Sequence, residues 1–185
     1  SSGLVGSEMC IRDSLSGIAS ATYEMVELIS ETNTKIVSTR KTTPNLRVLE
    51  KFAVKNGGGI NHRFGLYDGI LIKDNHLALS KSISNSISKA KEKCGHMVNI
   101  EVEVDNLEQY KEALETETDA ILLDNFEIDD LIEAVNLNKK NIVLEASGKI
   151  TKGNILEVAK TGVNLISSGW ITHSSPSLDI GLDFS

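Results

Sequence analysis

The chain has 185 residues, 40% hydrophobic and 24% charged, with a formal net charge of −7. That balance fits one soluble domain with a substantial core, and the negative charge excludes a general nucleic-acid binder, which needs a basic face for phosphates. No run approaches the roughly 18 unbroken apolar residues of a membrane span and no secretory signal opens the chain, so a cytoplasmic protein is expected; Cys10 and Cys94 are too far apart for a disulfide framework or a CxxC metal site.

Residues 1–14 show neither helical nor strand periodicity and read as a tag or sequencing artefact, set apart from the fold. From Leu15 an apolar stripe through Ile18, Ala19, Met25, Val26 and Ile29 has helical spacing. Short apolar runs then alternate with helical stretches, predicting strands over 34–38, 69–73, 98–104, 120–123, 141–145 and 164–168. Pro44 is expected at a first helical position, Gly57 at that helix's end, and Asp105 with Glu108 as a capping box. The fold class is therefore α/β: a partial (β/α) barrel of about six parallel strands with outer helices, over residues 15–177. The closing run 178–184 alternates like a further strand.

The unusual residues fall just after the predicted strands, and in parallel α/β folds those ends converge on one mouth. Arg40, Lys41, His62, Arg63 and Lys73 bring planar guanidinium forks and compact ammonium charges together, a mixture suited to a small polycarboxylate or a phosphate. Gly57-Gly58-Gly59 precedes them and is read either as a helix cap or as a loop shaped around a ligand. Glu101, Glu103 and Asp105 share one strand face; with Asp124, Glu103 is costly inside a barrel unless it meets Mg²⁺, ribose hydroxyls, a developing positive charge or a neighbouring lysine. Ser147-Gly148 and Ser168-Gly169 follow the last two strands as small residues where backbone N–H groups can cradle phosphate, with His173 in reach.

Together these motifs resemble the quinolinate phosphoribosyltransferase family, the carboxylating nicotinate-nucleotide pyrophosphorylases. The carriers are LSGIA (15–19), TRKTTPNLRVLEKFAV (39–54), GGGINHRFGLYDGILIKDNH (57–76), EVEVDNLEQ (101–109), LLDNF (122–126), LEASG (144–148) and ISSGWITHS (166–174). The resemblance implies a Mg²⁺-dependent transfer of phosphoribosyl from phosphoribosyl pyrophosphate to quinolinate with loss of CO₂, in NAD synthesis. It implies that Arg40, Lys41, His62, Arg63 and Lys73 bind quinolinate, with Lys41, Glu103 and Asp124 catalytic. Glu103 and Asp124 would hold the ribose and metal, and Ser147, Gly148, Ser168, Gly169 and His173 the sugar phosphate.

The family also implies a homodimer or higher oligomer and an N-terminal α/β sandwich domain, bearing a further arginine, that this sequence does not contain. The chain alone is accordingly expected to be inactive or nearly so, and the run 178–184 to return towards that domain. Lys149 stands where the family continues with a second glycine. Two other readings stay open: a paralogous barrel transferase acting without decarboxylation, and a non-catalytic fragment.

Overall fold

The computed structural model describes residues 2–80 and 82–180, and of the side chains of residues 2–5 and 7 nothing is said. In chain order the elements are α1 (Ser2–Leu28), β1 (Lys35–Val37), α2 (Arg47–Asn56), β2 (Ile70–Ile72), α3 (Asp74–Ser80), α4 (Ile83–Lys93) and β3 (Ile100–Val104). There follow α5 (Leu107–Leu114), β4 (Ala120–Asp124), α6 (Ile128–Leu137), β5 (Val143–Ser147), α7 (Ile155–Lys160), β6 (Leu165–Ser167) and α8 (Trp170–His173). Each of the six strands lies within or beside its expected range.

All strand pairs are parallel, in the order β1-β6-β5-β4-β3-β2. First strand beside last, with sequential neighbours between, is the order of a barrel cut open between β1 and β2. A single parallel bridge, Val37 to Ile60, lies at the cut edge. Side chains alternate across each strand: Val102, Val104, Ile121, Leu123, Leu144, Ala146 and Ile166 face outward and are buried beneath helices that supply Met25, Ile29, Tyr110, Ala113, Leu131, Ala134, Ile155 and Val158. Removing this apolar surface from water is what fixes the sheet's outer face. The inner face is far more polar. Glu103, Leu122, Glu145 and Leu165 are aligned across β3, β4, β5 and β6, and Asp124 pairs in register with Ser147 above them.

Four local expectations change. The N-terminal segment is helical from Ser2 onward, continuous with the stripe that begins at Leu15, so residues 1–14 are not structurally separate where they are described. Pro44 lies in a turn before α2, which starts three residues later at Arg47; restricted φ suits a turn as well as a first helical residue. The cap of α5 is Asn106, whose side chain accepts from the Gln109 N–H at 2.9 Å, while Gln109 Oε1 accepts from the Asp105 N–H at 2.8 Å. The cap is thus one residue later than expected, and Gln109 reaches back to the N–H of the residue before it. The run from 178 is irregular as far as Ile180, with Leu178 N–H donating to the Asp13 carbonyl at 3.1 Å; residues 181–185 lie outside the described ones.

The triple glycine belongs to helix packing. A Cβ on Gly57 would overlap the Ala19 carbonyl oxygen and Thr22 of α1, and one on Gly59 would lie 2.9 Å from Thr22 Cγ2 and Val54 Cγ1. Gly58 has φ +87°, a conformation that glycine adopts without strain. The loop is shaped by α1, and its consequence for function is to deliver Asn61, His62 and Arg63 to the barrel mouth.

Candidate active site at the carboxyl ends of the strands

A cavity of about 270 Å³ opens at the carboxyl ends of the strands. Its wall includes Arg40, Lys41, His62, Arg63, Lys73, Glu103, Asp124 and Ser147, so eight of the expected residues, drawn from six separate stretches of chain, meet around one opening. Ser38, Thr39, Glu145 and Ser167 complete the polar part of the wall.

Arg40 and Lys41 follow β1, and their side chains have no hydrogen-bond or ion-pair partner among the described residues. Arg63 donates from Nη1 to the Gly69 carbonyl at 2.8 Å. Arg40 Nε and Arg63 Nε are buried without a hydrogen-bond partner among the described residues. Lys73, at the end of β2, is paired with Glu103 of β3. That pair links the cationic side of the cavity to the acidic side. Asp124 ends β4 and accepts from Asn125 Nδ2 at 2.7 Å.

Beneath the cations lies a cluster of one histidine and two glutamates. His62 Nε2 donates to Glu101 Oε2 at 2.8 Å, and Glu145 Oε2 lies 3.8 Å from the same nitrogen. The hydrogen bond to Glu101 raises the His62 pKa above 6.5 against the opposing effect of burial. Glu145 is 1% exposed, and burial, followed by the neighbouring Glu101 charge, pushes its carboxyl up to about 7. Its Oε2 has no hydrogen-bond partner.

A divalent cation would find hard oxygen donors at Glu103 and Asp124 on the cavity wall. Mg²⁺ is commonly held by one or two carboxylates together with substrate phosphates, and these two residues fit that mode.

The last two strand ends behave differently from each other and from expectation. Ser147 lines the main cavity, whereas Gly148 lines a neighbouring one with Asn125, Lys149 and Asn154. Gly148 has φ +95°, and a Cβ there would overlap the Asn125 side chain, so the turn requires glycine. Lys149 also has positive φ, 51°, which accounts for a preference for glycine at that position without invoking a ligand. Ser168, Gly169 and His173 do not line the cavity. Ser168 N–H donates to the Val37 carbonyl at 3.3 Å, tying β6 to β1. Gly169 lies against Lys41 Cδ, and His173 is exposed with Nδ1 2.6 Å from Ser174 Oγ.

Sequence reasoning missed Glu145 as a wall residue. A signal was present, because Glu145 ends the predicted strand 141–145, and residues at strand ends were expected at the mouth. Arg47, Glu50 and Lys51, which hold the cationic loops from behind, carried no such signal.

Comparison with known proteins gives the family. Residues 18–183 match the family model described as "Quinolinate phosphoribosyl transferase, C-terminal domain". A "Probable nicotinate-nucleotide pyrophosphorylase [carboxylating]" of Bacillus subtilis is 52% identical over 169 residues, covering 91% of this chain and 58% of that protein. A nicotinate-nucleotide pyrophosphorylase [carboxylating] of Mycobacterium leprae is 44% identical over 172 residues, covering 91% and 60%. Among solved structures, nicotinate-nucleotide pyrophosphorylase from Ehrlichia chaffeensis superposes with a TM-score of 0.89 at 45% identity, covering 92% of this chain and 62% of that one. The chain thus spans about 60% of the length of the relatives it matches.

Proposed function

This chain belongs to the quinolinate phosphoribosyl transferase family, and on that premise we propose that it forms the barrel portion of an enzyme that transfers phosphoribosyl from phosphoribosyl pyrophosphate to quinolinate, releasing pyrophosphate and CO₂ and giving nicotinate mononucleotide. The observation that carries this reading is the single cavity in which Arg40, Lys41, His62, Arg63 and Lys73 face Glu103 and Asp124, with Arg40 Nε and Arg63 Nε buried and unpaired.

The two substrates are both anions, so their encounter must be subsidised by positive charge. Guanidinium forks of Arg40 and Arg63 match the two adjacent carboxylates of quinolinate, with Lys41, Lys73 and His62 adding charge around them. Holding the pyridine nitrogen against the anomeric carbon contributes through positioning, up to about 7–11 kcal/mol in well-oriented cases. The nitrogen forms a bond to that carbon as the bond to pyrophosphate breaks, the electron pair leaving with pyrophosphate. Positive character develops on the sugar during this step, and Glu103 and Asp124 stabilise it where it appears. The alkylated ring is then an electron sink. The carboxylate adjacent to the ring nitrogen leaves as CO₂, its bonding pair enters the ring, and a proton from water completes the product. Mg²⁺, held by Glu103 and Asp124, would supply charge neutralisation for the pyrophosphate group. Ser147, Gly148, Ser168, Gly169 and His173 are proposed to lie along the sugar-phosphate end. A homodimer or higher oligomer, working in the cytoplasm, completes the reading.

Calorimetric titration of the chain with quinolinate tests the cup. Binding is expected, and Arg63→Ala should weaken it by about 2–3 kcal/mol, the usual range for a charge-assisted bond lost from a buried site. Absence of quinolinate binding by the folded wild-type chain would overturn the assignment.

A further inference from the structure

The motif TRKTTPNLRVLEKFAV contains three charged residues with no part in the chemistry above: Arg47, Glu50 and Lys51. Spaced i, i+3 and i+4, they share one face of α2. That face grips the two loops that carry the cations. Arg47 donates from Nε to Thr42 Oγ1 at 3.0 Å, from Nη2 to the Arg40 carbonyl at 3.2 Å and from Nη1 to the Phe64 carbonyl at 3.0 Å. Glu50, buried, accepts from the Thr43 N–H at 3.1 and 3.3 Å. Lys51 donates from Nζ to the His62 carbonyl at 2.8 Å and to Ser38 Oγ at 3.0 Å, with the Phe64 ring centroid 5.0 Å away.

Lys51 differs from its two neighbours in being wholly inaccessible, at 0% exposure, while making no ion pair among the described residues. Ser38 and His62, the residues it bonds, line the cavity; Lys51 stands one layer behind them. Arg47 and Arg40 repel its charge, and Asp68 is the acidic residue that favours it. A buried ammonium without a paired carboxylate is costly. An anion in the cavity would offset that cost across a single layer of protein.

We propose that Lys51 is a positioning residue of the diacid subsite, tying the His62 loop to Ser38 and leaving an uncompensated positive charge behind the wall for an anionic ligand to balance. The identity of that ligand rests on the function proposed above; the tie between the loops does not. Quinolinate carries two negative charges and nicotinate one, so a contribution from charge must favour quinolinate; misplacement of the loops, which carry Arg40 and Arg63, is distinguished from it by amide exchange in those loops.

The test compares the wild-type chain with Lys51→Met, and with Lys51→Gln as a second variant that keeps a donor but loses the charge. Quinolinate and nicotinate affinities are measured by calorimetry, amide hydrogen exchange over residues 38–43 and 61–64 by mass spectrometry, and folding by thermal melting. Lys51→Met is expected to lower quinolinate affinity at least tenfold, to lower the quinolinate-to-nicotinate affinity ratio, and to speed exchange in both loops while the melt stays cooperative. Lys51→Gln should lower the ratio with less effect on exchange. Unchanged quinolinate affinity, or loss of both affinities in equal proportion, in a folded variant overturns the charge role; unchanged loop exchange overturns the tie. If the wild-type chain binds neither acid, the functional reading fails, and exchange still decides whether Lys51 holds the loops.

Discussion

Glu145 and Lys51 carry opposite charges in the same barrel end, and burial acts on them in opposite directions along the pH scale. The folded Glu145 carboxyl titrates near 7 against an ordinary 4.5, so between those values the folded chain holds a proton that the unfolded chain releases. Stability from this group therefore falls as pH rises from 4.5 through 7. His62 adds to the same trend: its raised pKa gives stabilisation that is complete below 6.5 and lost as pH rises through the folded value. Lys51 behaves conversely, lowered by burial from 10.5 to about 8, so its contribution recovers as pH rises from 8 towards 10.5. Glu145→Gln, isosteric and uncharged, should thus raise the urea midpoint at pH 8 relative to wild type while changing it little at pH 5. A variant destabilised more at pH 8 than at pH 5 would show that the carboxylate, once ionised, is better paired than its orphaned Oε2 indicates. The inward cations were legible because residue type and position after a strand coincide. Lys51 was not, because nothing in a helical pattern distinguishes a lysine that snorkels to water from one turned inward to bond a carbonyl.

At the level of elements, the six strands followed from short apolar runs, since a parallel strand buried on its outer face needs them. Boundaries and caps were less accurate, for a local reason. Asp105, Asn106 and Glu108, Gln109 offer two overlapping boxes of the same chemistry, and the backbone entry into α5 selects Asn106. Asn106→Ala should cost about 1 kcal/mol, within the range for lost N-caps, read as a shift in the denaturant midpoint; Asp105→Ala should cost much less. Equal effects of the two substitutions would return the cap to Asp105. The triple glycine teaches the same lesson from packing. Sequence alone presents its flexibility, and only the position of α1 against Gly57 and Gly59 explains why no larger residue fits.

At the scale of the whole molecule, α2 and the loop after it expose apolar side chains among the described residues. Val48, Leu49 and Phe52 emerge from the outer side of α2, with Phe52 64% exposed, and Leu66 and Tyr67 are exposed on the following loop. Apolar groups of this size gathered on one helix favour association, which supports the proposed oligomer. The double substitution Val48→Asp, Phe52→Asp should shift the chain towards monomer in sedimentation equilibrium; a wild-type chain already monomeric at high concentration would remove α2 as an interface. Among the described residues no helix is long and apolar enough to cross a membrane.

The sequence by itself determined the strand repeat, the direction of each βα unit and the set of cations and carboxylates at the strand ends, because these depend on periodicity and on chemistry read within a few residues. The tertiary structure decided what depends on groups distant along the chain: that Ser147 reaches the cavity while Ser168, Gly169 and His173 do not, that Glu101 and Glu145 close on His62, and that α2 turns three charges inward to hold the loops. Burial and electrostatic coupling are properties of neighbours in space, and a linear pattern specifies those neighbours only after the sheet has curved.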